Sequence, residues 1–298
     1  MKIGLTGGTG FIGQHLLKDY ADRHTFVAAT SRENTGGFYQ HPNIQYVFSN
    51  YSITSFCAAF AECDCIVHLG AAKSSAGAEK KIENFYCNIS ACENIFYAAH
   101  SLGIKNVINI SSRCVYEPSL PKPFKEELTA PLNRYGAAKL CTENIAAIFN
   151  RSRGMKIKSL RLAQVLGSGM RSGDLLSVYL ERSLKGKPLE VFGRGESAKE
   201  YIYIKDVTAA IMCACLKKSL GGSFNIGTGT ATTNLNLAQA FCSVFRNEGG
   251  YRLLPEKQED GLVYCMDVSR AKETLGFCAE YDLCSALVDM KKELEVTA

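Results

Sequence analysis

Thr6-Gly7-Gly8-Thr9-Gly10-Phe11-Ile12-Gly13 decides the fold. It follows a short apolar run, Lys2-Ile3-Gly4-Leu5, and opens an amphipathic stretch. Glycines at 7, 10 and 13 allow a tight turn after a strand and the close approach of a pyrophosphate. They also let the following helix sit close to the sheet. The first amides of a helix lack intrahelical partners and align with its dipole, so they suit a dinucleotide's phosphates. A glycine pattern of this kind carries weight only between a strand and a helix, which is its setting here.

Outward from that turn, short β-branched or apolar runs alternate with amphipathic stretches. Strands are expected near 2–6, 25–30, 44–48, 64–69, 105–111 and 156–162, with helices near 11–21, 53–61, 83–102 and 134–152. Strands separated by helices imply right-handed β-α-β units, hence an α/β fold with a Rossmann-type doubly wound parallel sheet. Cys65-Ile66-Val67-His68-Leu69 and Asn106-Val107-Ile108-Asn109-Ile110 read as central strands buried on both faces. After about residue 163 the rhythm changes to glycine-rich loops and shorter elements, then an apolar helix near 205–217. Ser223-Phe224-Asn225-Ile226-Gly227 reads as a strand returning to the sheet, and a short strand is expected at 251–254. The expected division is a dinucleotide-binding domain of 1–163, to which 201–229 returns, and a smaller α/β substrate domain of 164–200 and 230–298.

Composition excludes several classes. The chain has 298 residues, 46% hydrophobic and 21% charged, which is ordinary for a water-soluble globular protein. No apolar run approaches the roughly 18 residues that span a bilayer. A first strand at Lys2 leaves no room for a cleavable signal, so a cytoplasmic protein is expected. The net charge of +5 is spread in ones and twos and gives no nucleic-acid footprint. Thirteen cysteines include no Cys-x-x-Cys pair, and the five histidines lie far apart. Small buried thiols in a reducing compartment account for the cysteines, and no metal site is expected.

Ligands in such sheets bind beyond the carboxyl ends of the strands. Asn109-Ile110-Ser111-Ser112 ends the fifth strand, and Tyr135-Gly136-Ala137-Ala138-Lys139 begins the next long helix. Tyrosine and lysine four apart share a helical face, where an ammonium would lower the phenol's pKa. Ser112 could then hydrogen-bond a substrate oxygen beside Tyr135. Such a pair suits the removal or supply of a hydroxyl proton while hydride moves to or from nicotinamide.

With these residues the chain resembles, nearly end to end, the extended short-chain dehydrogenase/reductases, in particular the nucleotide-sugar epimerase/dehydratase group. Thr6 to Gly13 matches that family's Thr-Gly-x-x-Gly-x-x-Gly, and His68-Leu69-Gly70-Ala71-Ala72 resembles its His-Leu-Ala-Ala segment along the cofactor. Ser112 falls at the family's catalytic serine, and Tyr135 and Lys139 at its catalytic tyrosine and lysine, the lysine also holding the nicotinamide ribose. Asn88 falls where the family has an asparagine opening a helix. Leu160 to Gly167, Lys199 to Val207, Phe224 to Gly227 and Asp267 to Phe277 resemble further family segments in order. The resemblance implies cofactor contacts at Gly7, Gly10, Phe11, Ile12, Gly13, Leu69, Gly70, Ala71 and Asn88. It implies substrate contacts at Lys73, Arg113, Gln164, Lys199, Tyr201 and Lys257.

Departures from the family pattern sharpen the expectation. Dehydratases of the group carry an Asp-Glu pair after the catalytic serine; Arg113 and Cys114 stand there, so a 4,6-dehydratase is not expected. At the end of the second strand an NAD enzyme usually presents a carboxylate, whereas this chain has Thr30-Ser31-Arg32. Arg32 is either a solvated loop cation or a ligand for a 2′-phosphate, so the cofactor is NAD or NADP with a lean toward NADP. Asn50-Tyr51 stands where an aspartate commonly contacts adenine, and Asn50 can still accept that hydrogen bond. Gln164 replaces an asparagine and Lys199 an arginine, both contacts to a nucleotide diphosphate in the family.

Three functions stay open at this level. One is epimerisation, at C4 of a UDP-hexose or UDP-N-acetylhexosamine, through a transient keto sugar. Another is NADPH-dependent reduction of a keto sugar or other carbonyl compound. The third is non-catalytic dinucleotide sensing, against which the intact Ser112, Tyr135 and Lys139 argue. Apolar stripes at 83–102 and 134–152 could join two copies into a homodimer or simply face the sheet.

Overall fold

A computed structural model of the chain describes residues 1–71 and 82–297. Its first half alternates β1 (Lys2–Thr6), α1 (Phe11–Tyr20), β2 (Thr25–Thr30), β3 (Ile44–Phe48), α2 (Ile53–Phe60), β4 (Cys65–His68), α3 (Ile82–Ser101), β5 (Asn106–Ser112), α4 (Arg134–Arg153) and β6 (Lys156–Leu162). The second half adds β7 (Gln164–Leu166), α5 (Leu175–Leu184), β8 (Leu189–Phe192), β9 (Ala198–Tyr203), α6 (Ile204–Leu216) and β10 (Gly222–Ile226). It closes with β11 (Ala231–Thr233), α7 (Asn234–Phe245), β12 (Tyr251–Leu254) and α8 (Leu283–Thr297).

Seven strands form one sheet in the order β10-β6-β5-β4-β1-β2-β3, and every pairing in it is parallel. The chain winds outward both ways from β1, which pairs β2 on one side and β4 on the other. The crevice beyond the carboxyl ends of β1 and β4 is therefore the topological switch point.

Alternation along the strands fills two cores. Ile3, Leu5, Val67, Ile108 and Ile110 join Leu16 and Leu17 of α1 and Val207 and Ile211 of α6 in one. Ile66 and Val107 join Phe56 and Phe60 of α2, Phe96 of α3 and Phe149 of α4 in the other. Coverage on both faces explains why β4 and β5 read as nearly unbroken apolar runs.

A buried ion pair ties α4 to β6. Arg161 and Glu143 meet at 2.6 Å with side chains 4% and 3% exposed. Glu143 also accepts hydrogen bonds from the hydroxyls of Ser111 and Ser223, and Arg161 donates to the Tyr116 hydroxyl at 2.7 Å. The charges are desolvated but well satisfied, the condition under which a buried pair holds geometry.

Beyond residue 163 there are two small sheets, β11-β9-β7 and β12-β8. β10 joins the large sheet beside β6, whereas Tyr201 to Tyr203 lie in β9 of the three-stranded sheet. The sequence reading lacks β7, β8, β9 and β11, elements of three to six residues. Strands that short are fixed by their pairing partners rather than by a local period. Among the described residues no helix is long and apolar enough to cross a membrane.

Candidate active site

At the switch point, the turn after β1 is closed by Gly10 N–H donating to the Gly7 carbonyl at 2.9 Å. Gly7 sits at φ +72, and a Cβ on Gly13 would lie 2.3 Å from the Gly7 carbonyl oxygen, so helix and turn touch backbone to backbone. Gly10 caps α1 without any side-chain hydrogen bond to its first amides. Those amides point at the cleft as donors for an anion. The cradle fits the pyrophosphate of a dinucleotide.

Ser112 ends β5 and accepts the Cys114 amide at 3.2 Å, which opens a tight turn over Arg113–Val115. Onto that turn packs the start of α4: a Cβ on Gly136 would fall 2.0 Å from the Cys114 carbonyl oxygen. Asn133 caps α4 by accepting the Gly136 amide at 2.8 Å. These constraints place Tyr135 beside Ser112. One helical turn later Lys139, 5% exposed, donates to the Ile110 carbonyl at 2.6 Å, with its ammonium 5.8 Å from the centre of the Tyr135 ring. A cleft of about 270 Å³ is lined by Ser112, Tyr135 and Lys139 on one side and by Gly7, Gly10, Phe11, Ile12 and Gly13 on the other.

The electrostatics depart from one expectation. Burial raises the Tyr135 phenol's pKa above its ordinary value; the Arg171 charge and a hydrogen bond with Ser112 oppose the rise without cancelling it. The expected lowering by Lys139 does not prevail. Burial also pulls the Lys139 pKa down, while Cys92 and Glu143 push it up. Without a further charge beside it, the phenol stays protonated.

An adjoining groove of about 820 Å³ shares Gly7, Gly10, Leu69, Ala71 and Arg171 with this cleft, so the two are continuous. Its walls include Arg32, Asn50, Tyr51, Gly70 and Asn88. Arg32 is exposed at the end of β2, 5.5 Å above the Phe38 ring. Tyr51 adopts φ 64, a left-handed conformation uncommon for a bulky residue, and its carbonyl accepts the Asn94 side-chain amide at 3.0 Å. The Gly70 amide donates to the Thr6 hydroxyl at 3.2 Å, and that hydroxyl meets Nδ1 of His68 at 2.7 Å. Burial and the nearby Lys139 charge hold the His68 pKa down at about 3, so its ring is neutral.

The expected substrate contacts divide. Arg113 and Gln164 line the reactive cleft; the guanidinium donates to Gln164 Oε1 at 3.4 Å and stacks 4.5 Å from the Tyr264 ring. Gln164 in turn donates to Asp174 at 3.1 Å. Lys199, Tyr201 and Lys257 line neither cleft. Lys199 sits opposite Thr232 in the small sheet. The Tyr201 hydroxyl is buried without a hydrogen-bond partner among the described residues. Lys257 lies 3.4 Å from Glu190 and 4.6 Å over the Phe192 ring, at the edge of a third cleft of about 480 Å³. Lys73 lies outside the described residues. Among the described residues, no group of three or more His, Cys, Asp or Glu side chains could hold a metal ion.

The sequence reading missed Arg171 and Asp174, which line the reactive cleft. The available signal was a cation and a carboxylate inside the glycine-rich segment that follows β6 and β7, at the carboxyl ends of the strands.

Comparison with known proteins agrees with this architecture. Residues 3–227 match the NAD dependent epimerase/dehydratase family. The chain belongs to that family. It is an enzyme of the extended short-chain dehydrogenase/reductase type. Among solved structures it resembles the UDP-N-acetylglucosamine 4-epimerase of Bacillus cereus at 28% identity, with a TM-score of 0.88 over 99% of this chain and 96% of that one. It resembles the UDP-glucose 4-epimerase of Thermotoga maritima, solved with UDP-glucose, at 26% identity and a TM-score of 0.88, over 100% and 99%. Arabidopsis thaliana UDP-glucuronic acid decarboxylase 1 is 24% identical, with 97% of this chain and 69% of that protein covered. The family scaffold thus serves more than one reaction.

Proposed function

We propose that the protein is an NAD(P)-dependent nucleotide-sugar 4-epimerase whose substrate is a UDP-hexose or UDP-N-acetylhexosamine. The observation that carries this reading is one cleft lined by Ser112, Tyr135, Lys139 and the uncapped glycine turn. Named 4-epimerases among its structural relatives support the choice of reaction. In this reading residues 164–200 and 230–298 cover the substrate.

Bound in the continuous groove, a nicotinamide cofactor supplies hydride acceptance and return. The phosphates would rest on the amides that open α1, and the ribose on Lys139. Burial keeps the phenol protonated on its own. With the positive charge that an oxidised nicotinamide would bring beside it, the phenol would give up that proton to solvent. Tyr135 Oη could then take the substrate's hydroxyl proton and later return one. Ser112 Oγ holds that same oxygen by a hydrogen bond. Lys139 is fixed by Ile110 O within 5.8 Å of the Tyr135 ring centre, where its ammonium would hold the ribose. The small-domain walls keep the keto sugar from leaving while it turns over. Elimination of water has no carboxylic acid at 113 or 114 to drive it.

Arg32 at the end of β2 favours NADP, and with it a second reading, an NADPH-dependent reductase of a carbonyl compound. One experiment separates the two: denature the purified protein and identify the dinucleotide released. Stoichiometric retained cofactor, with interconversion of the two C4 epimers of a UDP-sugar, supports the epimerase. An empty protein that binds and oxidises NADPH supports the reductase instead.

A further inference from the structure

Arg113 brings a guanidinium to the reactive cleft, one residue along the chain from Ser112. Among the described residues it forms no ion pair within 4.0 Å. Two carboxylates feel its charge, Glu200 and Asp260, but both are committed elsewhere. Glu200 is buried and accepts the amides of Gly229 and Met266, each at 2.8 Å. Asp260 accepts the Leu262 amide at 3.1 Å. Asp174, the carboxylate lining the same cleft, caps α5 and takes the Gln164 amide. The guanidinium is oriented nonetheless, by the Tyr264 ring and by Gln164 Oε1. An arginine presents five N–H donors in a planar fork matched to an oxyanion. Here that fork is aimed and held, and no side-chain carboxylate among the described residues pairs with it within 4.0 Å.

We infer that Arg113 is a specificity-determining residue that receives a carboxylate borne by the sugar ring, which revises the neutral UDP-hexose or UDP-N-acetylhexosamine of the reading above to a nucleotide-linked hexuronate. This rests on the nucleotide-sugar reading above. A charge-assisted, two-pronged contact gives both strength and orientation, which a transiently oxidised sugar needs to be handed back in one geometry. The substrate's own diphosphate is an oxyanion too, and the test separates the two sources.

UDP, UDP-glucose and UDP-glucuronate are titrated calorimetrically into the cofactor-loaded protein and its Arg113→Leu and Arg113→Lys variants, and turnover of both sugars is followed. The wild type is expected to bind the hexuronate more tightly than the hexose. In Arg113→Leu the hexuronate-to-hexose affinity ratio should fall about a hundredfold, the scale for removing one partner of a desolvated charge pair. Arg113→Lys, which keeps the charge and loses the fork, should recover part of that ratio. Equal weakening of UDP, hexose and hexuronate by Arg113→Leu would assign the cation to the diphosphate and overturn the inference. So would an unchanged ratio, or a wild type without preference for the hexuronate. If the Arg113-dependent preference is present but neither sugar is epimerised, the inference about the ligand stands and the epimerase reading falls.

Discussion

The sheet side of the reactive cleft and the surroundings of the third cleft are built on different principles. On the sheet side, each reactive group is held by backbone. Gly136 rests on the Cys114 carbonyl, Lys139 on the Ile110 carbonyl, and Gly13 on the Gly7 carbonyl. Behind them the Glu143–Arg161 pair locks α4 to β6. Around the third cleft, charged side chains satisfy one another at partly exposed positions, as Glu190 does with Arg182, Arg252 and Lys257. Asn234 Oδ1, on that cleft's wall, is buried without a hydrogen-bond partner among the described residues. Chemistry that is shared across substrates can be fixed once, whereas recognition is assembled from adaptable side chains.

If the sheet side is the rigid one, its perturbation should cost most. Glu143→Ala leaves Arg161 buried and uncompensated and should lower unfolding free energy by about 3–5 kcal/mol in urea melts. A loss below about 1 kcal/mol would remove the contrast between the two regions. Tyr135→Phe removes only the proton-carrying oxygen and should slow turnover at least about a hundredfold while the dinucleotide still binds. Near-wild-type kcat would take the reaction away from this residue.

Acid should weaken the same side. His68 is neutral in the fold with its pKa held at about 3, against 6.5 in the open chain. Below pH 6.5 the unfolded chain takes up a proton that the folded one refuses until about pH 3. Stability present above that window is therefore lost as pH falls through it, by up to about 1.4 kcal/mol per pH unit. Compared with the wild type, His68→Gln should show a flatter decline in melts between pH 7 and 4; parallel curves would contradict the assignment. Arg32→Ala should weaken NADP binding about tenfold and leave NAD binding unchanged, on the scale of one exposed phosphate contact. Equal effects on both dinucleotides would discard the 2′-phosphate role. At the third cleft Glu190→Gln should change stability by less than about 1 kcal/mol, as exposed ion pairs do. A larger loss would show that this region is also load-sharing.

Much of the candidate site's geometry was readable because its determinants are local. A strand, a glycine turn and a helix lie within twenty residues, from Met1 to Tyr20. Tyr135 and Lys139 share a face by helical geometry alone. For Arg171 and Asp174 the sequence marks only a charged glycine-rich loop at the strand ends, because their place on the cleft depends on how the 167–174 segment lies against α1. His15 Nε2 meets the Ser168 carbonyl at 2.8 Å in that contact, across 153 residues of sequence.

Order along the chain determined the parallel sheet, the phosphate cradle and the spacing of the phenol and ammonium, since each follows from backbone period and glycine stereochemistry over a few residues. Folding in three dimensions decided how acidic the phenol is and which cations reach the cleft. Burial raises the Tyr135 pKa, and the opposing charge comes from Arg171, a residue distant in sequence, rather than from the Lys139 neighbour that helical spacing names. Desolvation is a property of the whole surround, and no short stretch of residues contains it.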